Sequence, residues 1–420
     1  MQIFSLQSFT SLLLRGVTLG GKFLVMVVMA RYLEPDQFSA YGVLTVSIAY
    51  TLYIVSFEFH NYTTRELIAH SHDQWGRIIK SQLFFMAFLY SLVTLALFYL
   101  DRSKLLPAIH LAWFVGLLIL EHIFQESTKI LIANNSPTKA NLVIFLGHGL
   151  WPICAAASMI ISPDARNISF VLYTWTFGAA SSSCLGIFFI MKERLGGWKT
   201  PVKWAFIRKG IIIAFPLLLS TLAIRGMLTF DRYLVDHLSG KETLSAYILF
   251  TGLAAAMLSL LEACLFYPVY PKLIEYAQKN QTEKHTKTVK EFFFNSLAFV
   301  MIFSSILLLT SRFWIDWLER NYYAENIVIF KWILIAFGAY CLSTVPHYAL
   351  YSMNEDRKIL GCNIASSVVF IISISAGIIY LERPEISLIP LSLCGSFLSL
   401  FLLKGISYLR LRPLASLSAA

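Results

Sequence analysis

Apolar runs of membrane-crossing length recur along this chain from residue 5 to residue 407. A helix needs roughly 20 mostly apolar residues to cross the hydrocarbon of a bilayer. About twelve such runs are predicted: 5–30, 38–57, 80–100, 105–126, 141–162, 168–191, 210–235, 243–268, 292–314, 325–348, 361–381 and 386–407. A barrel strand would be about half as long and would alternate in polarity, whereas these runs are continuously apolar. Lipid offers no partners to backbone N–H and C=O groups, so each run must satisfy its own by coiling into a helix. The expected fold class is therefore all-α and polytopic. Composition agrees: 57% of residues are hydrophobic and 14% charged, where a soluble domain is nearer half and a quarter.

Loop charges orient the spans. Lys and Arg concentrate after even-numbered spans, as in Lys192, Arg194, Lys199, Lys203, Arg208 and Lys209 after the sixth. Positive loops stay in the cytoplasm, which predicts an N-in, C-in topology. The surplus of 34 basic over 24 acidic residues is then a topology signal, and no nucleic-acid partner is expected. The N-terminus, MQIFSLQSF, lacks a basic start and a small-residue cleavage site, so the first span is expected to serve as its own insertion signal. The polar stretch EYAQKNQTEKHTKTVKEF reads as a solvated cytoplasmic linker. No loop is long enough for a soluble domain, so the work of the protein belongs within the membrane.

The cysteines, Cys154, Cys184, Cys264, Cys341, Cys362 and Cys394, all fall in apolar segments without CxxC or Cys/His spacing. That pattern points to neither a disulfide framework nor a metal site. No GxSxG, Walker A or HExxH string occurs, so hydrolase and ATP-driven chemistry lack support, no cofactor is implied and no enzyme is expected.

The chain repeats itself weakly. Arg15-Gly16 and then Lys22-Phe23-Leu24-Val25 return as Arg225-Gly226 and Arg232-Tyr233-Leu234-Val235, 210 residues later. Ser39-Ala40-Tyr41 returns as Ser245-Ala246-Tyr247, offset by 206. The first and seventh spans are thus counterparts. The chain divides into an N-terminal six-helix lobe, 1–205, and a C-terminal one, 206–420, as parallel transporter repeats do.

Charges inside the spans need explaining. On insertion scales a central charge costs roughly 2.5–3.5 kcal/mol and a leucine returns only about 0.5 kcal/mol. Arg15, Lys22 and Arg225 are therefore expected to face a bundle interior or a watery cavity rather than lipid. Arg15 and Lys22 lie two helical turns apart on one face, and Arg225 and Arg232 do the same. Four cations on one lumen would suit an anionic head group, because guanidinium and ammonium pair well with phosphate. Two plainer readings stand beside this. Lys331 and Arg232 can snorkel to a membrane surface, and Asp231, Glu121 or Glu262 can neutralise a neighbouring cation. His148, in the fifth span, reads as a hydrogen-bonded core residue. Gly20-Gly21 and the prolines Pro152, Pro216, Pro268, Pro346 and Pro390 mark places where helices could bend.

ARYLEPDQFSAYGVL (Ala30 to Leu44), DRYLV (Asp231 to Val235) and LFYPVYPKL (Leu265 to Leu273) together resemble the polysaccharide exporter branch of the multidrug/oligosaccharidyl-lipid/polysaccharide exporter superfamily, and more narrowly its O-antigen flippases. Glu34 and Ser39 stand where that family commonly has glycine. The resemblance spans the whole chain and implies two six-helix lobes around a central cationic cavity. It implies a substrate of polyprenyl pyrophosphate bearing a short oligosaccharide, flipped from the cytoplasmic to the periplasmic leaflet of a bacterial inner membrane while its lipid stays in the bilayer. Arg15, Lys22, Arg225, Arg232 and Lys331 are the implied substrate contacts, and Glu121, Asp231 and Glu262 the implied ion-coupling candidates. A polysaccharide polymerase and a chain-length regulator are the implied protein partners. Two alternatives stay open: an ion-coupled multidrug antiporter of the same superfamily, and a membrane-embedded O-antigen polymerase or ligase. The first would call for deep acidic residues, and the second for a large periplasmic loop.

Overall fold

The computed structural model describes residues 6–102, 111–380 and 386–417. The expected first residue of the first span, the start of the fourth (105–110) and the last residue of the eleventh (381) lie outside the described residues. All regular structure among the described residues is helical. Ten helical runs are long and apolar enough to cross a membrane. One of them, Trp204–Gln278, is broken at Gly240 (φ 78°, ψ −178°), a left-handed backbone that glycine adopts without a Cβ penalty. It therefore holds two expected spans, the seventh and the eighth. The helix Leu111–Ala133 supplies the fourth; its polar residues Glu121, His122, Gln125 and Glu126 dilute its hydropathy. The architecture is thus that of the expected polytopic helical protein with about twelve spans.

The chain forms two compact units, Met1–Leu218 and Leu219–Ala420. The first contains α1 (Leu6–Tyr32), α2 (Pro35–Ser56), α3 (His60–Ala69), α4 (His72–Arg102), α5 (Leu111–Ala133), α6 (Pro137–Phe145), α7 (Trp151–Ile161) and α8 (Ile168–Lys192). The unit boundary falls inside α9 (Trp204–Leu261), just past Pro216. The second unit continues with α10 (Tyr267–Gln278), α11 (Thr282–Leu309), α12 (Ser311–Leu318), α13 (Asn321–Glu325), α14 (Ile327–Ser352), α15 (Asp356–Tyr380) and α16 (Leu388–Leu417).

Local chemistry sets the helix ends. Pro35 opens α2, where its missing N–H costs nothing, and Phe57 closes that helix in the left-handed conformation (φ 54°). Asn167 caps α8 by accepting the Phe170 amide at 2.9 Å. Two π-helical turns, Leu146–Leu150 and Glu262–Phe266, each precede an aromatic-proline pair, Trp151-Pro152 and Tyr267-Pro268. Each proline withholds the amide that His148 or Cys264 would otherwise accept, and an i→i+5 turn shifts the bonding past it. Pro390 sits in the first turn of α16, where no amide is required, whereas α14 continues through the buried Pro346.

The stretch expected to be a solvated linker is instead mostly helical. It forms the end of α10 and the start of α11, separated by Lys279 to Gln281. His285 is buried there and its Nε2 lies 2.9 Å from Ser352 Oγ, while Phe292 is buried beside it. The polar letters of that stretch coat one face, and His285, Val289 and Phe292 form the other.

Candidate functional site

In the first unit the site is assembled around Glu121. The α5 carboxyl is 3% exposed, and its Oε1 accepts the Trp175 Nε1–H of α8 at 2.7 Å. Its Oε2 lies 3.5 Å from His148 Nε2, in the π-helical turn. Lys22, on α1, is within electrostatic reach of both Glu121 and His148. Aromatic side chains hold the donor in place: Trp151 stacks on Trp175 (5.8 Å, 15°) and Tyr41 meets the same indole edge-on (5.9 Å, 65°).

Close backbone approach makes this possible. A Cβ on Gly21 would lie 3.0 Å from the Gly149 carbonyl oxygen, and one on Gly149 would lie 2.9 Å from Thr18 Oγ1. Glycine therefore lets α1 lie directly on the π-helical turn that carries His148. Arg15 stands two turns earlier on α1, exposed, with its Nε donating to Asn141 Oδ1 of α6 at 3.2 Å. Lys22 is exposed as well. The arrangement has an accessible ammonium and guanidinium in front and a buried carboxylate with an imidazole behind. An anion can pair with the first two groups, and the carboxyl and imidazole behind them are groups able to carry a proton.

The second unit treats its repeat differently. Asp231 is fully buried. Tyr247 donates its hydroxyl to Oδ2 at 2.8 Å, and Oδ1 takes the Arg232 amide at 2.8 Å and its guanidinium at 3.2 Å. Arg232 also reaches Thr251 Oγ1 at 3.3 Å and the Leu228 carbonyl. The ion-pair reading thus describes Arg232, whose charge is engaged by its own neighbour. Arg225 remains exposed on α9 and interacts electrostatically with Glu262, half-buried in the second π-helical turn. Lys331 lies exposed near the start of α14, apart from these groups, at a position suited to snorkelling.

Three residues were not singled out from the sequence. Trp175 and Tyr41 carried no signal beyond being aromatic. Lys404 is 4% exposed within α16 and its Nζ lies 3.3 Å from His347 Nδ1 of α14. Its place inside the expected span 386–407 was the available signal.

Residues 5–276 match the family of polysaccharide biosynthesis proteins. No match is found among curated protein sequences. Among solved structures, the inward-facing conformation of a multidrug resistance MATE family transporter of the MOP superfamily is similar with a TM-score of 0.73 and 12% identity, over 97% of this chain and 98% of that one. A MOP superfamily transporter from Pyrococcus furiosus is similar with a TM-score of 0.61 at 12% identity, over 95% and 93%. A mutant MATE transporter of Vibrio cholerae gives 0.61 at 11%, over 97% and 98%. These likenesses establish a MOP-type helical fold, and the membrane-length apolar helices make the chain a multi-pass membrane protein.

Proposed function

The chain belongs to the polysaccharide biosynthesis protein family, and from that premise we propose that it is a transporter that flips a polyprenyl-pyrophosphate-linked oligosaccharide, an O-antigen repeat unit, from the cytoplasmic to the periplasmic leaflet of a bacterial inner membrane. The head group crosses by alternating access through a cationic cavity. The observation that carries this reading is the pair Arg15 and Lys22: two accessible cations on one face of a membrane helix. Such charges are costly against lipid and are expected where they meet a polar ligand. Arg225 is the third proposed contact. Asp231 already holds Arg232, which takes a positioning role, and Lys331 serves at most at the membrane surface. Glu121, with His148 and Lys22 beside it, is the proposed coupling site; Glu262 beside Arg225 is its counterpart in the second unit.

Family membership and the MOP-type fold favour a transporter over an O-antigen polymerase or ligase. The similarity to multidrug transporters and the buried Glu121 keep an ion-coupled drug antiporter as the second reading. Deletion of the gene separates them. Flipping predicts lipid-linked repeat units accumulating on the cytoplasmic leaflet, rescued by the wild-type gene and not by Arg15→Ala or Lys22→Ala at equal protein levels. Normal surface polysaccharide in the deletion, with raised drug sensitivity, would overturn the flippase reading.

A further inference from the structure

The second unit carries a groove of about 1060 Å³ between α11, α14 and α16, at the upper end of the size range of small-molecule sites. Its mouth is formed by the first turns of α11, through Thr282, Glu283, Thr286, Lys287 and Lys290. Val345 and Pro346 of α14 line it as well, with Phe401, Gly405 and Leu409 of α16. Positions 283, 286, 287, 290 and 293 share one helical face, so polarity changes along a single wall. Two turns of hydroxyl and charge give way to Phe293, which stacks on Phe401 (6.0 Å, 14°). Polar at one end and aromatic at the other, the groove has the profile of a membrane lipid, head first and chain after.

The charge balance selects the head. Lys287 and Lys290 are exposed, and neither is held in an ion pair among the described residues. Glu283 is the carboxylate in the lining, so the mouth keeps one net positive charge. That matches a phosphodiester, which carries one negative charge, better than a pyrophosphate, which carries more. The uncapped start of α11 adds helix-end amides of the same preference. Behind the mouth, the hydrogen bond between His285 Nε2 and Ser352 Oγ (2.9 Å) and the contact of Tyr408 Oη with His285 Nδ1 (3.4 Å) tie the three helices together. Those groups are occupied with one another and hold the groove's shape.

We propose that this groove docks an anionic glycerophospholipid of the bilayer, with its phosphodiester on Lys287 and Lys290 and one chain laid along Phe293 and Phe401. The inference goes beyond the transport reading: this lipid is a bound component and not the cargo, and failure of that reading would leave it standing.

The test uses the full-length protein in detergent micelles with equal dipalmitoyl phosphatidylglycerol and phosphatidylcholine, with retained lipid read by native mass spectrometry. The wild type is expected to favour the anionic lipid about tenfold. Lys287→Gln with Lys290→Gln is expected to bring the ratio to about one. Both lysines are exposed, so this variant keeps the fold. Gly405→Leu, which fills the throat, is expected to lower retention of both lipids. Equal retention by the wild type, or an unchanged ratio in the double Gln variant, would overturn the assignment.

Discussion

Asp231 has no contact with solvent and satisfies its carboxylate with the Tyr247 hydroxyl, the Arg232 amide and the Arg232 guanidinium. Removing one member of a buried ion pair leaves an uncompensated charge, which costs about 3–5 kcal/mol, whereas replacing both with apolar groups is often neutral. Asp231→Leu is therefore expected to destabilise the purified protein by about that amount, and Asp231→Leu with Arg232→Met to recover most of it. Thermal unfolding in one detergent checks both, and a double variant as unstable as the single one would remove the pair from the account. A titrating group outside the spans gives a second prediction. Burial of His60, on α3, holds its imidazole pKa below the usual range; Lys129 adds to this, and Glu126 and Glu58 oppose it. The unfolded chain then takes up the proton first as pH falls through about 6.5, and stability is lost below that value while the folded form stays neutral. At higher pH both states are neutral and the contribution vanishes. His60→Gln should accordingly shrink the drop in melting temperature between about pH 7.5 and pH 5.5.

At the scale of elements, the most instructive contact is α1 on the π-helical turn of the fifth span. The adjacent glycines of α1 are unequal: a Cβ at Gly20 meets nothing within 4 Å, while one at Gly21 comes within 3.0 Å of a backbone oxygen. Gly20→Ala should be neutral or stabilise by up to about 1 kcal/mol, because alanine gives up less entropy in a helix. Gly21→Ala should cost about 1–3 kcal/mol, because the Gly149 carbonyl cannot move without disturbing the turn that carries His148. Melting temperatures of the two variants, side by side, decide it. This contrast also marks what the sequence could tell. The spans were legible, because apolar length leaves a bilayer helix little alternative. That Gly21, and not Gly20, is a packing seam in an unbroken helix was not legible, because close approach depends on a partner 128 positions away. The α10–α11 stretch misled for a related reason: its charges dominate a window average, and its buried face shows only once the 3.6-residue period is tracked.

Across the whole molecule, the sequence repeat marks positions that keep a structural theme while their chemistry diverges. In each unit the repeated serine, Ser39 or Ser245, is fully buried. In each, the tyrosine two residues on lies by a buried carboxyl: Tyr247 bonds Asp231 directly, and Tyr41 packs on the tryptophan that bonds Glu121. The cation at the second basic position is engaged in one unit, as Arg232, and accessible in the other, as Lys22. Such asymmetry is expected if the second basic position has separate tasks in the two units, closing a fixed charge pair in one and offering a cation to a ligand in the other. The same reading requires one orientation of the chain in the membrane, since loading from the cytoplasm puts the basic loops on that side. Two short connections test it. Asp164 is exposed in the turn after the fifth span, and Lys199 is exposed in the basic loop after the sixth. In a background with the six native cysteines replaced, Asp164→Cys is expected to react with a membrane-impermeant maleimide on intact cells. Lys199→Cys is expected to react only after the membrane is opened. The opposite pattern would put the basic loops outside, against the positive-inside rule, and the proposed flipping from the cytoplasmic leaflet would lose its direction.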